Sequence, residues 1–238
     1  MTVKRIFITG ASGCIGHYVV EWLLNHTEHQ LFVLVRNPDK LRVTVPEPNS
    51  TVSDTTQRLQ VLQGDLRQIS RYDEILQQVD VAILLAAAWG GWEETYDTNV
   101  NRTIQILKTL GAGHCQNVLY FSTESILDQH NKPLREALEI GTDYIRTKAI
   151  ALQQIERLTD IPPIVAIFPT LVFGGDQSKP ASHLTSGLGE VLRWLWLARF
   201  LSVDASFHFM HASDIAQVAG YLVDQPVPTA YCEGEGVP

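Results

Sequence analysis

Three glycines three residues apart, Gly10, Gly13 and Gly16, stand between an apolar run and an amphipathic one, and no other feature limits the fold of this chain so strongly. Val3–Thr9 is rich in β-branched and aromatic residues and reads as a strand. Gly13–Asn25 then takes up helical spacing. A chain that leaves a strand through glycines and enters a helix at once must turn tightly, and the helix begins with free N–H groups at the positive end of its dipole. Such a turn is a phosphate site. Over Gly10–Ala11–Ser12–Gly13–Cys14–Ile15–Gly16 the glycines let a pyrophosphate approach the backbone and let the helix pack close on the strand.

The rest of the chain repeats the same alternation. Strands are expected at Leu31–Val35, Leu59–Leu62, Val79–Ala87, Val118–Ser122 and Ile164–Phe168, with helices at Arg71–Gln78, Trp92–Leu110 and Gly141–Leu158. Strands apolar throughout, separated by helices, imply a parallel sheet covered on both faces, a doubly wound α/β (Rossmann) fold. Residues 1–170 are expected to form the nucleotide-binding domain and 171–238 a small substrate lobe in the same compact unit. Thr44–Gln57 and Asp176–Ser186 read as loops. Val191–Leu201 is intensely apolar with two arginines, and reads as a helix over a substrate pocket rather than one lying on a membrane surface.

Composition excludes several classes. Eighteen Lys and Arg against 26 Asp and Glu give a net charge of −8, with a pI near 5.4, which argues against nucleic acid as a partner. Cys14, Cys115 and Cys232 are too few and scattered for a disulfide framework or a zinc site, and imply a reducing compartment. No run approaches the roughly 18 apolar residues of a membrane span. The chain enters its first strand at once, without the pattern of a signal peptide. The expectation is a cytoplasmic protein with no integral membrane segment.

The G-x-x-G-x-x-G spacing resembles the short-chain dehydrogenase/reductase superfamily, in particular its extended branch of epimerases, dehydratases and reductases. A nicotinamide cofactor follows from that resemblance. At the end of the second strand an acid would accept from a ribose 2′-OH, whereas an arginine accommodates a 2′-phosphate. Here the residue is Arg36, so NADP(H) is expected ahead of NAD(H). In the resembling family an aspartate after the third strand caps the adenine, and Asp65–Leu66 matches it. Small residues at Ala86 and Ala87 would let the fourth strand run beside the cofactor, and the backbone at Pro169 would lie along the nicotinamide.

Tyr144–Ile145–Arg146–Thr147–Lys148 places a tyrosine and a lysine one helical turn apart on one face. A tyrosine with an ordinary pKa of about 10 works as a proton donor and acceptor only beside a positive charge that stabilises its phenolate. The pattern resembles the superfamily's catalytic pair. The resemblance puts a third hydroxyl just after the fifth strand, where Thr123 fits and Ser125 is the alternative. Glu124 beside them reads as a solvent-facing loop residue. Asn99, in a stretch similar to the family's N-V-x-G-T, would orient the helix or a water near Lys148. His211 and Asp214 suggest a packed histidine and a helix cap rather than a metal pair. Trp89, Trp92 and Tyr96 follow the fourth strand and suggest a large, apolar or ring-bearing substrate, or else core or interface aromatics.

Together these imply an NADP(H)-dependent oxidoreductase acting on a carbonyl or alcohol of a small molecule through Thr123, Tyr144 and Lys148. The rivals are a sugar-nucleotide epimerase or dehydratase with tightly held NAD, and a non-catalytic nucleotide-binding assembly module. The resemblance also implies a homodimer through the helices carrying Asn99 and Tyr144. Family members carry helices beyond Thr229–Pro238, so the lobe is either minimal or cut.

Overall fold

The computed structural model describes residues 2–43, 58–186 and 208–225. The expected loop at 44–57, the apolar helix at 191–201 and the segment 229–238 lie outside the described residues.

Six parallel strands form one sheet: β1 (Arg5–Thr9), β2 (Gln30–Val35), β3 (Leu59–Gln63), β4 (Val81–Leu84), β5 (Asn117–Phe121) and β6 (Ile164–Ile167). Their spatial order is β3-β2-β1-β4-β5-β6, every pair parallel. This is the doubly wound arrangement expected from the sequence. The order reverses between β1 and β4, and a crevice opens beyond the carboxyl ends of those two strands.

Why most strands read as apolar runs is plain from their packing, the edge strand β3 (LQVLQ) being the exception with only Leu62 buried. Alternate residues face opposite sides, and both sides are covered. Ile6, Ile8, Leu31, Val33 and Ile83 join α1 (Cys14–His26) and α7 (Ala212–Asp224) in one core. Phe7, Phe32, Leu34, Ala82 and Leu84 join the helices of the other face in a second. Those helices are α2 (Asp73–Leu76), α4 (Thr103–Gly111) and α6 (Asp143–Ile155), with the short α5 (Arg135–Glu139) beside α6. Each fully buried Ile, Leu or Phe contributes about 1.5–3 kcal/mol, so the two faces together hold the sheet without help from cross-links.

The structure departs from expectation locally. The single helix expected at Arg71–Gln78 is a 3-10 stretch, Leu66–Tyr72, followed by α2. The fourth strand stops at Leu84 rather than Ala87: the Ala86 N–H bonds the Thr9 side chain, and that of Ala88 bonds Asn99, in place of a neighbouring strand. The long helix after β4 is α3 (Trp92–Tyr96), a π-helical turn at Asp97–Arg102, and α4. The expected loop at Asp176–Ser186 ends in a helical turn over residues 183–186. A second, two-stranded sheet pairs β7 (Leu171–Phe173) in parallel with β8 (Phe209–His211), two pieces too short to show a period in sequence. His211, not Asp214, caps α7: its ring accepts from the Ser213 N–H.

Candidate active site

The crevice at the sheet's switch point is a cavity of about 1460 Å³. Pockets for one drug-sized molecule hold roughly 300–1,000 Å³, so this one has room for a dinucleotide and a second molecule. Every residue expected from the sequence to bind the cofactor or to act in catalysis lines it: Gly10, Ser12, Gly13, Cys14, Ile15, Gly16, Arg36, Asp65, Leu66, Ala86, Ala87, Thr123, Tyr144, Lys148 and Pro169.

The glycine turn is built for close backbone approach. Gly10 has φ of +73°, and a Cβ there would lie 2.7 Å from the backbone N of Ala86. Thr9 holds the same junction, its hydroxyl accepting from Ala86 N–H at 3.2 Å. A Cβ on Gly16 would run into the carbonyl oxygen of Gly10 and the Cα of Ala11. No side chain caps the start of α1, and Gly13, Cys14 and Ile15 line the cavity, so the helix turns its first N–H groups toward it. These residues fit a pyrophosphate at this position.

At the far end of β2 and β3 the cavity wall carries three cations, with Asp65 beside them and Glu94 and Asp97 within the field of Arg67. Arg36 is exposed at its wall, and Lys40 and Arg67, which sequence reasoning passed over, stand on the same wall. Asp65 caps the 3-10 stretch through Arg67 N–H and takes the Arg67 guanidinium at 2.9 Å and 3.1 Å. Those bonds, with the field of Arg36, hold the Asp65 carboxyl below its ordinary range. The signal for Arg67 was present as an i, i+2 pair with Asp65, and that for Lys40 as the turn Pro38–Lys40 returning the chain to the site.

The opposite end gathers the hydroxyls and the lysine. Thr142 caps α6, its hydroxyl accepting from Ile145 N–H. That fixes the start of the helix on which Tyr144 and Lys148 stand one turn apart. Lys148 is buried, and its Nζ donates to the Phe121 carbonyl at 2.7 Å and lies 5.1 Å over the Tyr120 ring. Burial lowers its ammonium to about 8, so it keeps its charge at neutral pH. Burial pushes the Tyr144 phenol up to about 12, while a hydrogen bond with Thr123 pulls the other way. Thr123 begins the turn after β5, and Ser125 lies behind it, its Oγ accepting from the Thr123 hydroxyl at 3.3 Å. Glu124 is exposed at the cavity rim.

Asn99 acts on backbone. It accepts from Ala88 N–H at 2.9 Å, and its Nδ2 donates to the Ala88 carbonyl at 3.2 Å and to Thr147 Oγ1 at 3.0 Å. The three aromatics after β4 part company. Trp89 alone of them lines the cavity, its indole stacked on the Tyr144 ring at 3.6 Å and 10°, with His183 against it at 4.6 Å. Trp92 packs on Tyr96 and lies under the Arg146 guanidinium instead.

A glycine turn at the switch point, with a Tyr–Lys pair one helical turn apart across the crevice, is the arrangement that the sequence resemblance led us to expect. The chain belongs to the NAD dependent epimerase/dehydratase family, whose model matches residues 6–231. Among curated proteins it is similar to the aldehyde reductase lnbA of Aspergillus flavus, 26% identical across 73% of this chain but only 20% of that protein. Among solved structures it resembles the terminal R domain from the myxalamid PKS-NRPS biosynthetic pathway, with a TM-score of 0.73 and 19% identity, covering 95% of this chain and 64% of that one. Vestitone reductase from alfalfa gives a TM-score of 0.67 at 17% identity, covering 94% and 74%. The Bordetella bronchiseptica enzyme WbmH, solved with NAD+, gives 0.69 at 16% identity, covering 94% and 73%. The chain thus spans about a fifth of its curated relative and under two thirds of the R-domain chain. Among the described residues no helix is long and apolar enough to cross a membrane.

Proposed function

We propose that this chain is an NADP(H)-dependent oxidoreductase that reduces a carbonyl, or oxidises the matching alcohol, of a small molecule in an aqueous, reducing compartment such as the cytoplasm. The observation that carries the reading is the meeting of Thr123, Tyr144 and a buried Lys148 at one end of a cavity whose other end is a phosphate turn. The similarity to an aldehyde reductase supports the reductive direction.

The glycine turn and the first N–H groups of α1 would hold the pyrophosphate, and Arg36, aided by Lys40, the 2′-phosphate. The backbone at Pro169 and at Ala86–Ala87 would flank the rest of the cofactor. When bound, the nicotinamide supplies the hydride or accepts it. The chain's own residues handle the oxygen. Thr123 donates to it and orients it. Tyr144, held protonated by burial, gives its phenolic proton to that oxygen in reduction and takes it back in oxidation. The Lys148 ammonium, charged below about pH 8, favours the phenolate left behind, as does the Thr123 hydroxyl.

The test is Tyr144→Phe, measured with NADPH and a panel of aldehydes. Turnover should fall at least about 100-fold, the usual scale for losing a positioned acid, while NADPH affinity stays within a few-fold. Undiminished turnover overturns the role of Tyr144. A purified protein that carries NAD through dialysis and exchanges no hydride with added NADPH points to the epimerase or dehydratase reading instead.

A further inference from the structure

Trp89 is 55% exposed and yet lies flat on Tyr144, its ring plane within 10° of parallel at 3.6 Å. A large indole left this open on a cavity wall is unusual, since each square ångström of apolar surface withdrawn from water is favourable. Its inner face is taken by Tyr144. Its outer face carries the His183 imidazole, which is itself exposed and sits tilted by 40° at 4.6 Å. His183 is therefore a loose occupant of a face that a parallel ring would fill better, because offset-parallel aromatic pairs gain both contact area and quadrupole complementarity. Asn99 fixes the backbone one residue before Trp89, so the platform is held in place from behind.

We propose that the outer face of Trp89 is a stacking subsite for a flat ring on the substrate, which displaces His183 and makes Trp89 the specificity-determining residue. The inference rests on the reductase reading above and adds the shape of its substrate. A ring on that face stands two stacking distances from the Tyr144 plane, roughly 7 Å. Its carbonyl cannot be attached directly to the ring and still reach the Tyr144 hydroxyl. It must sit on a flexible arm of about three carbons, long enough to pass the edge of the indole.

Two measurements test this. The first is calorimetric binding of the non-reducible amide 4-phenylbutanamide to the purified protein, alone and with NADPH. The wild type should bind it, Trp89→Phe within about threefold, and Trp89→Ala at least about tenfold more weakly, while His183→Ala binds it as tightly or more so. No binding by the wild type, equal binding by Trp89→Ala, or a loss in His183→Ala matching that in Trp89→Ala overturns the subsite. The second is the ratio of kcat/KM for 4-phenylbutanal to that for butanal. It should fall about tenfold or more in Trp89→Ala and be largely restored in Trp89→Phe, and benzaldehyde should show no such dependence. Equal loss on both aldehydes makes Trp89 a support for Tyr144 and overturns the subsite. The amide-binding pattern without reduction of any aldehyde overturns the reductase reading and leaves the subsite standing. Reduction of both aldehydes at a ratio indifferent to Trp89→Ala does the reverse.

Discussion

Asn99 takes both backbone polar groups of Ala88, accepting from its N–H and donating to its carbonyl, as a neighbouring strand would. The same amide donates to Thr147, one residue before Lys148. One buried side chain in the π-helical turn thus ties the segment leaving β4 to the helix bearing Tyr144 and Lys148. Its place accords with the irregular turn, since π-turns recur at functional sites.

Replacing Asn99 by Ala leaves the Ala88 N–H and carbonyl without partners. Ala88 is half-buried on the cavity wall, so each orphaned group costs at the low end of about 1–3 kcal/mol, and we expect a loss near 2 kcal/mol and a drop in Tm of roughly 4–8 °C by thermal unfolding. A Tm unchanged within a degree would mean that water replaces the amide.

The glycines of the turn are not equivalent. A Cβ on Gly16 meets only backbone, which cannot step aside, whereas one on Gly13 would sit 3.3 Å from the Gly10 carbonyl oxygen at an ordinary extended φ of −84°. Gly16→Ala should destabilise the fold by about 3 kcal/mol or more, and Gly13→Ala by under about 1 kcal/mol. Denaturant titration of both variants checks this, and equal costs would refute the crowding at Gly16.

Arg36→Asp puts a carboxylate where the 2′-phosphate would lie and an acceptor where a ribose hydroxyl would lie. The ratio of kcat/KM for NADPH to that for NADH should fall roughly 100-fold, the combined loss of a charge-assisted bond and gain of a repulsion. Lys40→Ala should move the same ratio less. A ratio unmoved by Arg36→Asp places the recognition of the 2′-phosphate elsewhere.

Lys148 makes stability depend on pH with a definite sign. Burial sets its folded pKa at about 8, below its unfolded value, so between those values the unfolded chain binds more protons than the folded one. Stability from this group therefore rises with pH from about 8 upward. Tyr144 acts oppositely above about pH 10, where the unfolded phenol ionises before the buried one. Unfolding free energies of wild type and Lys148→Met, taken at pH 8, 9 and 9.5, should diverge in favour of the wild type by about 1–2 kcal/mol across that span. A flat difference would show that Lys148 meets water in solution.

The sheet was legible because both faces of its inner strands are buried, so β1, β2, β4 and β5 show as apolar runs that need no knowledge of a partner. The turn at Gly10–Gly16 was legible for a similar reason, since its crowding arises within a few residues of the glycines themselves. Local spacing also placed Tyr144 and Lys148 on one face, because helical geometry alone determines that. Contacts between distant segments were a different matter. Sequence left Thr123 and Ser125 as alternatives, and it is the packing of α6 against the turn after β5 that brings the Thr123 hydroxyl to the Tyr144 phenol. A resemblance picked out Asn99, but nothing local named its partners, which lie 11 and 48 residues away in the chain. Trp89, Trp92 and Tyr96 looked alike in sequence, yet only the path of the chain from Ala88 into α3 turns Trp89 onto Tyr144 and the other two toward Arg146 and Gln154. Periodicity and steric crowding act between near neighbours and so are written in the order of residues. The meeting of side chains across the crevice depends on how the layers pack, and only the folded chain decides it.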